Sequence, residues 1–474
     1  MPLRIYNSLT KQKEEFRPFV AGVVNMYTCG VTVYDECHIG HARSLYIFDV
    51  IRRYLEYRGY TVNFVRNITD IDDKIINRAN ETKINWDILV ENYIRSYYQD
   101  LKALGIQPGL LDGKEEPRAT KNIEEILRYI QGLIDKSYAY VTDTGVYFSV
   151  RKCKGYGKLS GQSIEQMVTG ARKEPDETKQ DPLDFALWKR SKPNEPFWPS
   201  PWGDGRPGWH IECSVMSTKY LKAETLDIHA GGRDLIFPHH ENELAQSEAL
   251  TGKPFAKYWL HHGLLTINGQ KMSKSLGNFI TIKDALSRCP EGILKIFYLQ
   301  AHYSHPIDFS WEKIEEVKKA YERIDILRGR LDKLCGAKDA SEKIPGGSGD
   351  IQQFKDQFIA YMDDDFNMPR GLSVVFDMVN RCNKLLEGGD DLKNSILRHA
   401  RDMLIEIAHI FGLTFSKGTP TIVSDDEVRL KISSRVALRK QKKFQEADNL
   451  RKELEVKGIL LEDTKEGTQW RRKI

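Results

Sequence analysis

The chain has 474 residues, of which 29% are charged and 40% hydrophobic, and a formal net charge of only +4. That is the composition of an ordinary soluble globular protein; the length predicts several domains, and the near-balanced charge gives no whole-chain argument for a nucleic-acid partner. Seven cysteines at positions 29, 37, 153, 213, 289, 335 and 382, with no C-x-x-C, exclude a disulfide scaffold, and no apolar run is long enough for a signal segment or a membrane span. The expectation is a cytoplasmic chain with reduced thiols and no membrane partner.

Val23, Val24, Met26 and Tyr27 predict a buried strand, Leu45, Phe48, Ile51 and Leu55 recur at helical spacing, and Val62, Phe64 and Val65 predict a second strand. This is a β-α-β unit, whose ligand site falls where the first strand gives way to the helix. His38-Ile39-Gly40-His41 occupies that connection. Gly40 lets backbone approach a phosphate, and the helix N-terminus adds unpaired N–H groups and partial positive charge. On spacing alone, the run reads equally as polar surface or as half of a metal site. Cys29 ends the first strand. Asn67-Ile68-Thr69-Asp70-Ile71-Asp72-Asp73-Lys74 follows the second, with Thr69 and Asp70 as ordinary candidates to cap the next helix.

An insertion over about 111–205 leads to Gly208-Trp209-His210-Ile211-Glu212-Cys213-Ser214, in which Trp209 also reads as core. Pro238-His239-His240-Glu241-Asn242-Glu243 predicts a helix opening on proline. His239 and Glu243 are four apart and share a face, whereas the residue four beyond His240 is Leu244. Two thiols, an imidazole and a carboxylate suit zinc, although Cys29 and Cys213 read as well as small buried hydrophobes. Lys271-Met272-Ser273-Lys274-Ser275 then lies between Gly269 and Gly277, with Thr281 and Asp284 as a capping box. Such a loop can close two ammonium groups over phosphates, or be a solvated surface loop. With the two imidazoles they would grip a nucleoside triphosphate under attack at its α-phosphate.

After Asp308 the pattern turns helical: Ile314, Val317, Tyr321, Ile324, Leu331 and Leu334 form one face. A linker over Gly336–Asp350 interrupts it, and helical spacing resumes through 351–412, so an antiparallel bundle is expected. A second linker, about Leu413–Ser424, precedes a helix bearing Arg435, Arg439, Lys440, Lys442, Lys443, Arg451 and Lys452. That basic face suits a phosphate backbone or plain solvation. Leu460-Leu461-Glu462-Asp463 then turns at Glu466-Gly467 toward Trp470-Arg471-Arg472.

Paired in this order, the His38 and Lys271 runs resemble the two signatures of class I aminoacyl-tRNA synthetases. Tyr27-Thr28-Cys29-Gly30-Val31-Thr32, Gly208–Ser214, Phe237–Glu243 and the tail Gly458–Arg472 are similar, in the same order, to bacterial-type cysteinyl-tRNA synthetases. The resemblance covers almost the whole chain. It implies an α/β protein: a Rossmann-like parallel-sheet catalytic domain over 1–307, including the insertion and a lysine-loop region over about 255–307; a helical tRNA-binding bundle over 308–412; and a small α/β anticodon-binding module over 425–474. It implies that His38 and His41 stabilise the α-phosphate region of ATP beside Gly40, and that Lys271 and Lys274 hold the β- and γ-phosphates. Cys29, Thr32, Thr69, Trp209 and His229 would line the L-cysteine pocket. One zinc ion would sit on Cys29, Cys213, His239 and Glu243, magnesium would accompany ATP, and a monomer would charge tRNA-Cys.

A metal that accepts the substrate's sulfur discriminates cysteine from serine where a shaped pocket manages only roughly a hundredfold. No editing domain is then needed, and the insertion is too short to hold one in addition to tRNA contacts. Two alternatives share features: a cysteine ligase of the mycothiol-pathway type, which lacks the terminal RNA-binding module, and a non-catalytic RNA-binding paralogue. Trp470 is a candidate to stack on an exposed base.

Overall fold

The computed structural model describes residues 2–109, 115–170, 178–274, 276–335, 349–387, 393–415, 425–441, 443–456, 459–464 and 467–472. Ser275, Lys442, Glu466 and the linker stretches 336–348 and 416–424 lie outside them. The chain forms two compact units, one of residues 1–317, 352–374 and 406–413, the other of residues 318–351, 375–405 and 414–474. The predicted helical region over 308–412 contributes to both. Among the described residues no helix is long and apolar enough to cross a membrane.

The first unit is built on four parallel strands, β1 (Val23–Thr32), β2 (Thr61–Thr69), β3 (Leu226–Gly232) and β4 (Ala256–His262), in the order β4-β3-β1-β2. Helix α1 (Ile39–Tyr57) connects β1 to β2, and its apolar stripe, including Leu45, Phe48, Ile51 and Leu55, is buried. From β1 the chain crosses to β2 on one side, while β3 lies on the other. The crevice beyond the carboxyl ends of β1 and β3 is therefore the switch point at which such sheets bind ligands.

Between β2 and β3 the insertion forms helices and a four-stranded antiparallel sheet of Ala139–Thr142, Gly145–Phe148, Phe185–Arg190 and Gly205–Pro207. Its core residues, among them Ile126, Phe148 and Leu187, pack with Ile211 and Val215 of helix α2 (Trp209–Leu221) and with Ala245 and Ala249 of helix α3 (Glu241–Thr251). The insertion thus buttresses the two helices that bear Cys213 and Glu243. Helix α3 starts at Glu241, after a looser turn over Ile236–His240 with a non-helical Phe237, so Pro238 does not open the helix as its position predicts. Helical segments from 352–374 and 406–413 lie against α1, where Tyr46 donates to the Phe411 carbonyl at 2.7 Å and Tyr54 to Asp363 at 2.8 Å.

In the second unit the basic stretch is two helices, Asp425–Lys440 and Phe444–Val456, followed by a hairpin of Ile459–Thr464 and Gly467–Arg472 in which Leu461 faces Trp470. Val428, Leu454, Ile459 and Leu461 form a small core of their own. Arg435 is buried, with its guanidinium 3.4 Å from Thr468 Oγ1, so it leaves the basic surface expected from the sequence; Arg439, Lys440, Lys443, Arg451 and Lys452 are exposed.

Candidate active site

The first pocket residue is aimed by an irregularity in β1. The ladder to β2 pairs Thr28 with Arg66 and resumes with Val31 and Ile68, so Cys29 and Gly30 together oppose the single residue Asn67. A bulge of this kind bends a strand and redirects a side chain. Gly30 donates its N–H to Asn67 Oδ1 at 2.9 Å, and a Cβ there would stand 1.6 Å from the Asn67 carbonyl oxygen. Only glycine fits, and Cys29 is thereby turned toward α2 and α3.

There the structure brings Cys29, Cys213, His239 and Glu243 together, with one donor atom from each within 4.8 Å of the others and all four deeply enclosed. Cys29 Sγ lies 3.7 Å from Cys213 Sγ and 3.3 Å from Glu243 Oε1, and His239 Nε2 lies 2.9 Å from that oxygen. The i,i+4 relation of His239 and Glu243 is therefore a direct contact even though the first turn is irregular. Cys29, His229, His240 and Glu243 form a second group within the same distance limit. His240 Nε2 is 3.3 Å from Cys29 Sγ, and His229 Nε2 is 3.2 Å from Glu243 Oε2.

The electrostatics of this donor set favour a cation. Burial raises the Cys29 thiol, and the neighbouring Cys213 and Glu243 raise it further. Burial also opposes ionisation of Cys213, but Cys29 and His239 outweigh it and bring the thiol down to about 6. Burial opposes the Glu243 carboxylate too, and His229 with His239 hold it well below the usual range. Burial would lower His239, yet Glu243 and Cys213 keep it up at about 10. Two anionic donors are thus only partly offset by a proton on His239, where a divalent ion would bind thiolate, imidazole and carboxylate together. The residues fit a zinc-type ion on an observation of donor chemistry and enclosure.

Around the donors, the two histidines are oriented from behind. His239 Nδ1 meets His210 Nδ1 at 2.9 Å, and His240 Nδ1 meets His261 Nε2 at 2.8 Å, which continues to the Ser8 hydroxyl at 2.8 Å. Such outer partners fix imidazole tautomer and direction. Trp209, half-buried at the first position of α2, stacks on His239 with ring centroids 4.2 Å apart. His229 is fully buried and stacked on Tyr27, with its Nε2 turned to Glu243. Thr69 faces Thr32 across the sheet and donates to Glu212 Oε2 at 2.9 Å. It caps no helix, since Asp72 caps Asp73–Thr82 and Asp70 accepts from Thr120 N–H at 2.9 Å.

His38 and His41 cap α1 by means of their own rings. His38 Nδ1 accepts from the backbone N–H of Gly40 at 3.1 Å and of His41 at 3.2 Å, and His41 Nδ1 accepts from the His38 N–H at 3.3 Å. The rings stack with centroids 3.7 Å apart. Burial holds His38 at about 4 and His41 well below its ordinary value, so both are neutral near pH 7. With Nδ1 accepting, the ring proton sits on Nε2, the tautomer these hydrogen bonds require. Each ring is then a neutral Nε2–H donor. A Cβ on Gly40 would stand 2.9 Å from His38 Cε1 and 3.4 Å from Met272 Cε, so glycine here makes room for the capping ring and for the lysine run.

The second run docks directly beside the first. Ile39 N–H donates to Ile280 O at 3.1 Å, Ile282 N–H to Cys37 O at 2.9 Å, and Phe279 sets its edge against His38. Lys271 is not in a loop: it pairs with Thr266 in a two-residue hairpin whose turn residues, Asn268 and Gly269, have φ +50° and +75°. Asn278 closes the segment, accepting from Ser273 N–H at 2.8 Å and donating to Lys271 O at 3.3 Å. Lys271 is exposed, and Lys274 is ion-paired with Asp35. The Thr281–Asp284 capping box is present. The contacts of Asn67, His210, His240 and His261 escape a reading of the sequence because their partners are remote in the chain; Asn67, His210 and His240 at least fall within the quoted runs, and His261 has no such signal.

A family model described as the class I (C) tRNA synthetase catalytic domain matches residues 15–319, and one described as a DALR domain matches residues 357–416. The cysteine–tRNA ligase of Persephonella marina is 49% identical over 500 aligned residues, with 100% of each chain covered. That of Thermococcus onnurineus is 49% identical over 478, covering 100% of this chain and 99% of its own. That of Geobacillus thermodenitrificans is 47% identical, with 99% of both covered. Among solved structures, Mycobacterium tuberculosis methionyl-tRNA synthetase in complex with methionyl-adenylate superposes with a TM-score of 0.59 at 15% identity, over 86% of this chain and 93% of that one. The Agrobacterium radiobacter K84 agnB2 LeuRS–tRNA–LeuAMS complex gives 0.61 at 12% identity, over 85% and 86%. At such identities the superpositions establish the fold alone.

Proposed function

Because the chain belongs to the cysteine–tRNA ligase family of class I tRNA synthetases, we propose that it activates L-cysteine with ATP and transfers the cysteinyl group to the 3′ end of tRNA-Cys. The observation that carries the substrate assignment is the enclosed Cys29, Cys213, His239 and Glu243 set at the bulge of β1, the strand that leads into the His38 run. Zinc held by these four residues would supply a soft acid that rewards a thiolate over a hydroxyl.

In the first step a carboxylate oxygen of cysteine forms a bond to the α-phosphorus, and the bond from that phosphorus to the pyrophosphate oxygen breaks. The neutral His38 and His41 rings donate from Nε2 to the α-phosphate region, and Lys271 and Lys274 take the charge of the departing pyrophosphate. Gly40 keeps these groups close together. Trp209, Thr32, Thr69 and His229 bound or support the cysteine pocket. In the second step a hydroxyl of the terminal ribose attacks the acyl carbon and AMP leaves. The protein's part is positioning and charge stabilisation more than proton transfer. Magnesium accompanies ATP, and the working unit is a cytoplasmic monomer. The C-terminal module supports the tRNA reading over the amino-sugar ligase alternative.

The test is cysteine-dependent ATP–pyrophosphate exchange followed by charging of total tRNA with labelled cysteine. Equal exchange rates with serine would sink the thiol-selection reading; exchange without charging would sink the tRNA reading.

A further inference from the structure

The acidic pair just before the His38 run is engaged by Lys274 of the second run and by Lys283 of the helix that follows it. Asp35 is ion-paired with Lys274, and Arg78 lies 3.9 Å from the same carboxylate. Next to it, Glu36 takes Lys283 at 3.1 Å, and Ser96 contacts both, its hydroxyl 2.8 Å from the Lys283 ammonium. The backbones of the two runs are already joined through Ile39–Ile280 and Cys37–Ile282. The Lys274 side chain is therefore not needed to hold them together. Its ammonium instead rests on a carboxylate three residues from His38.

The two partners differ in freedom. The Asp35 side chain is 14% exposed and its Oδ1 accepts the Glu36 N–H at 2.9 Å, whereas the Lys274 side chain is 52% exposed. The aspartate is fixed and the lysine can swing. We propose that Asp35 is a positioning residue that holds Lys274 in the nucleotide-free protein as a stand-in for phosphate, and that ATP displaces it. The inference rests on the reading of Lys274 as a phosphate ligand. A carboxylate and a triphosphate compete for one ammonium, and the triphosphate carries more charge. An ion pair this exposed shifts an equilibrium by up to about fivefold, which ATP easily overcomes. The direction is definite: Asp35 makes ATP bind more weakly than the site otherwise would, and it gives Lys274 a partner to return to when pyrophosphate leaves.

The experiment measures kcat and KM for ATP in cysteine-dependent pyrophosphate exchange for Asp35→Asn, Lys274→Ala and the double variant. Asparagine keeps the Oδ1 acceptor for Glu36 N–H and the side-chain shape. Asp35→Asn is expected to lower KM for ATP by roughly two- to fivefold, leave KM for cysteine unchanged, and have no further effect once Lys274 is alanine. Glu36→Gln, which loosens the Lys283 pair, leaves KM for ATP unchanged. An unchanged or raised KM for ATP in Asp35→Asn overturns the proposal. So does a fall that persists without Lys274, or one that Glu36→Gln reproduces, since the cause would then be general charge or loosened backbone. Wild-type kinetics in Lys274→Ala would instead overturn the phosphate role of that lysine, a failure visible in the single variant.

Discussion

Asn67 meets Gly30 across the bulge in β1 twice over: its side-chain Oδ1 accepts the Gly30 N–H at 2.9 Å, and its own carbonyl fills the space a Cβ on Gly30 would need. The same Oδ1 lies 3.7 Å from Cys213 Sγ. One amide thus registers the two thiol-bearing segments against each other. Gly30→Ala forces β1 and β2 apart, at a cost of about 1–3 kcal/mol or more. The expected result is a lower thermal midpoint together with less bound zinc, measured by melting and elemental analysis. An alanine protein with wild-type midpoint and metal content would refute the role of the bulge.

The two overlapping donor groups make a sharp comparison. Cys213→Ser and His239→Ala should each lower bound zinc and cysteine affinity, His239→Ala by at least the roughly 10- to 100-fold in metal affinity that loss of an outer partner costs, while His240→Ala retains more metal. Competition with a chelator reads the order. Greater loss in His240→Ala than in His239→Ala would reassign the ion to Cys29, His229, His240 and Glu243.

Glu116 anchors the segment that follows β2. Its carboxylate takes Arg66 Nη2 at 2.7 Å, the Tyr97 hydroxyl at 2.8 Å and the Gly109 N–H at 2.7 Å, all buried. Glu116→Ala leaves the Arg66 cation unpaired away from water, and is expected to cost about 3–5 kcal/mol. Denaturant titration should show a smaller loss for Arg66→Met with Glu116→Leu than for Glu116→Ala alone. The reverse order would mean that the pair itself, rather than the stranded charge, carries the effect.

His38 links stability to pH. Burial lowers its folded value to about 4 from 6.5, so the unfolded chain takes up the proton first. Its contribution is fully present above pH 6.5 and is lost as pH falls toward 4. His38→Asn keeps a natural N-cap for α1 but does not titrate. The variant should lose stability less steeply than the parent between those values, by up to one proton in slope, and kcat should fall. Parallel pH curves would show that His38 takes up its proton as readily in the folded protein as in the unfolded chain.

Removing residues 425–474 takes away a module with its own core and an exposed basic surface. Charging of tRNA should fall by at least about tenfold while pyrophosphate exchange stays near its parent rate, because lost phosphate contacts weaken RNA binding alone. Equal losses in both assays would make the module structural.

What could be read from the sequence was local. The β1-α1-β2 unit is legible because its apolar runs and helical spacing lie within a few residues of one another, and the Thr281–Asp284 cap for the same reason. The class I tRNA synthetase family and the cysteine–tRNA ligase relatives agree with the resemblance carried by the quoted runs. Spacing could not show that Arg435 is internal or that Thr69 reaches Glu212, 143 residues away, because in each case a distant partner overrides the local pattern; the hairpin of Lys271 is local, and Asn268-Gly269 is its turn signal. Nor could it show the bulge, since Cys29-Gly30 reads as ordinary strand until Asn67 stands opposite.

The pocket is also late to assemble. Cys29 meets Cys213 after 184 residues and Glu243 after 214. At a synthesis rate of about 5–20 residues per second, the first thiol waits roughly 10–40 seconds for its partners to leave the ribosome. For most of that interval the nascent chain carries only one of the four donors beside an unfinished sheet, so metal capture and closure of the central strands belong to one late event in the chain's birth.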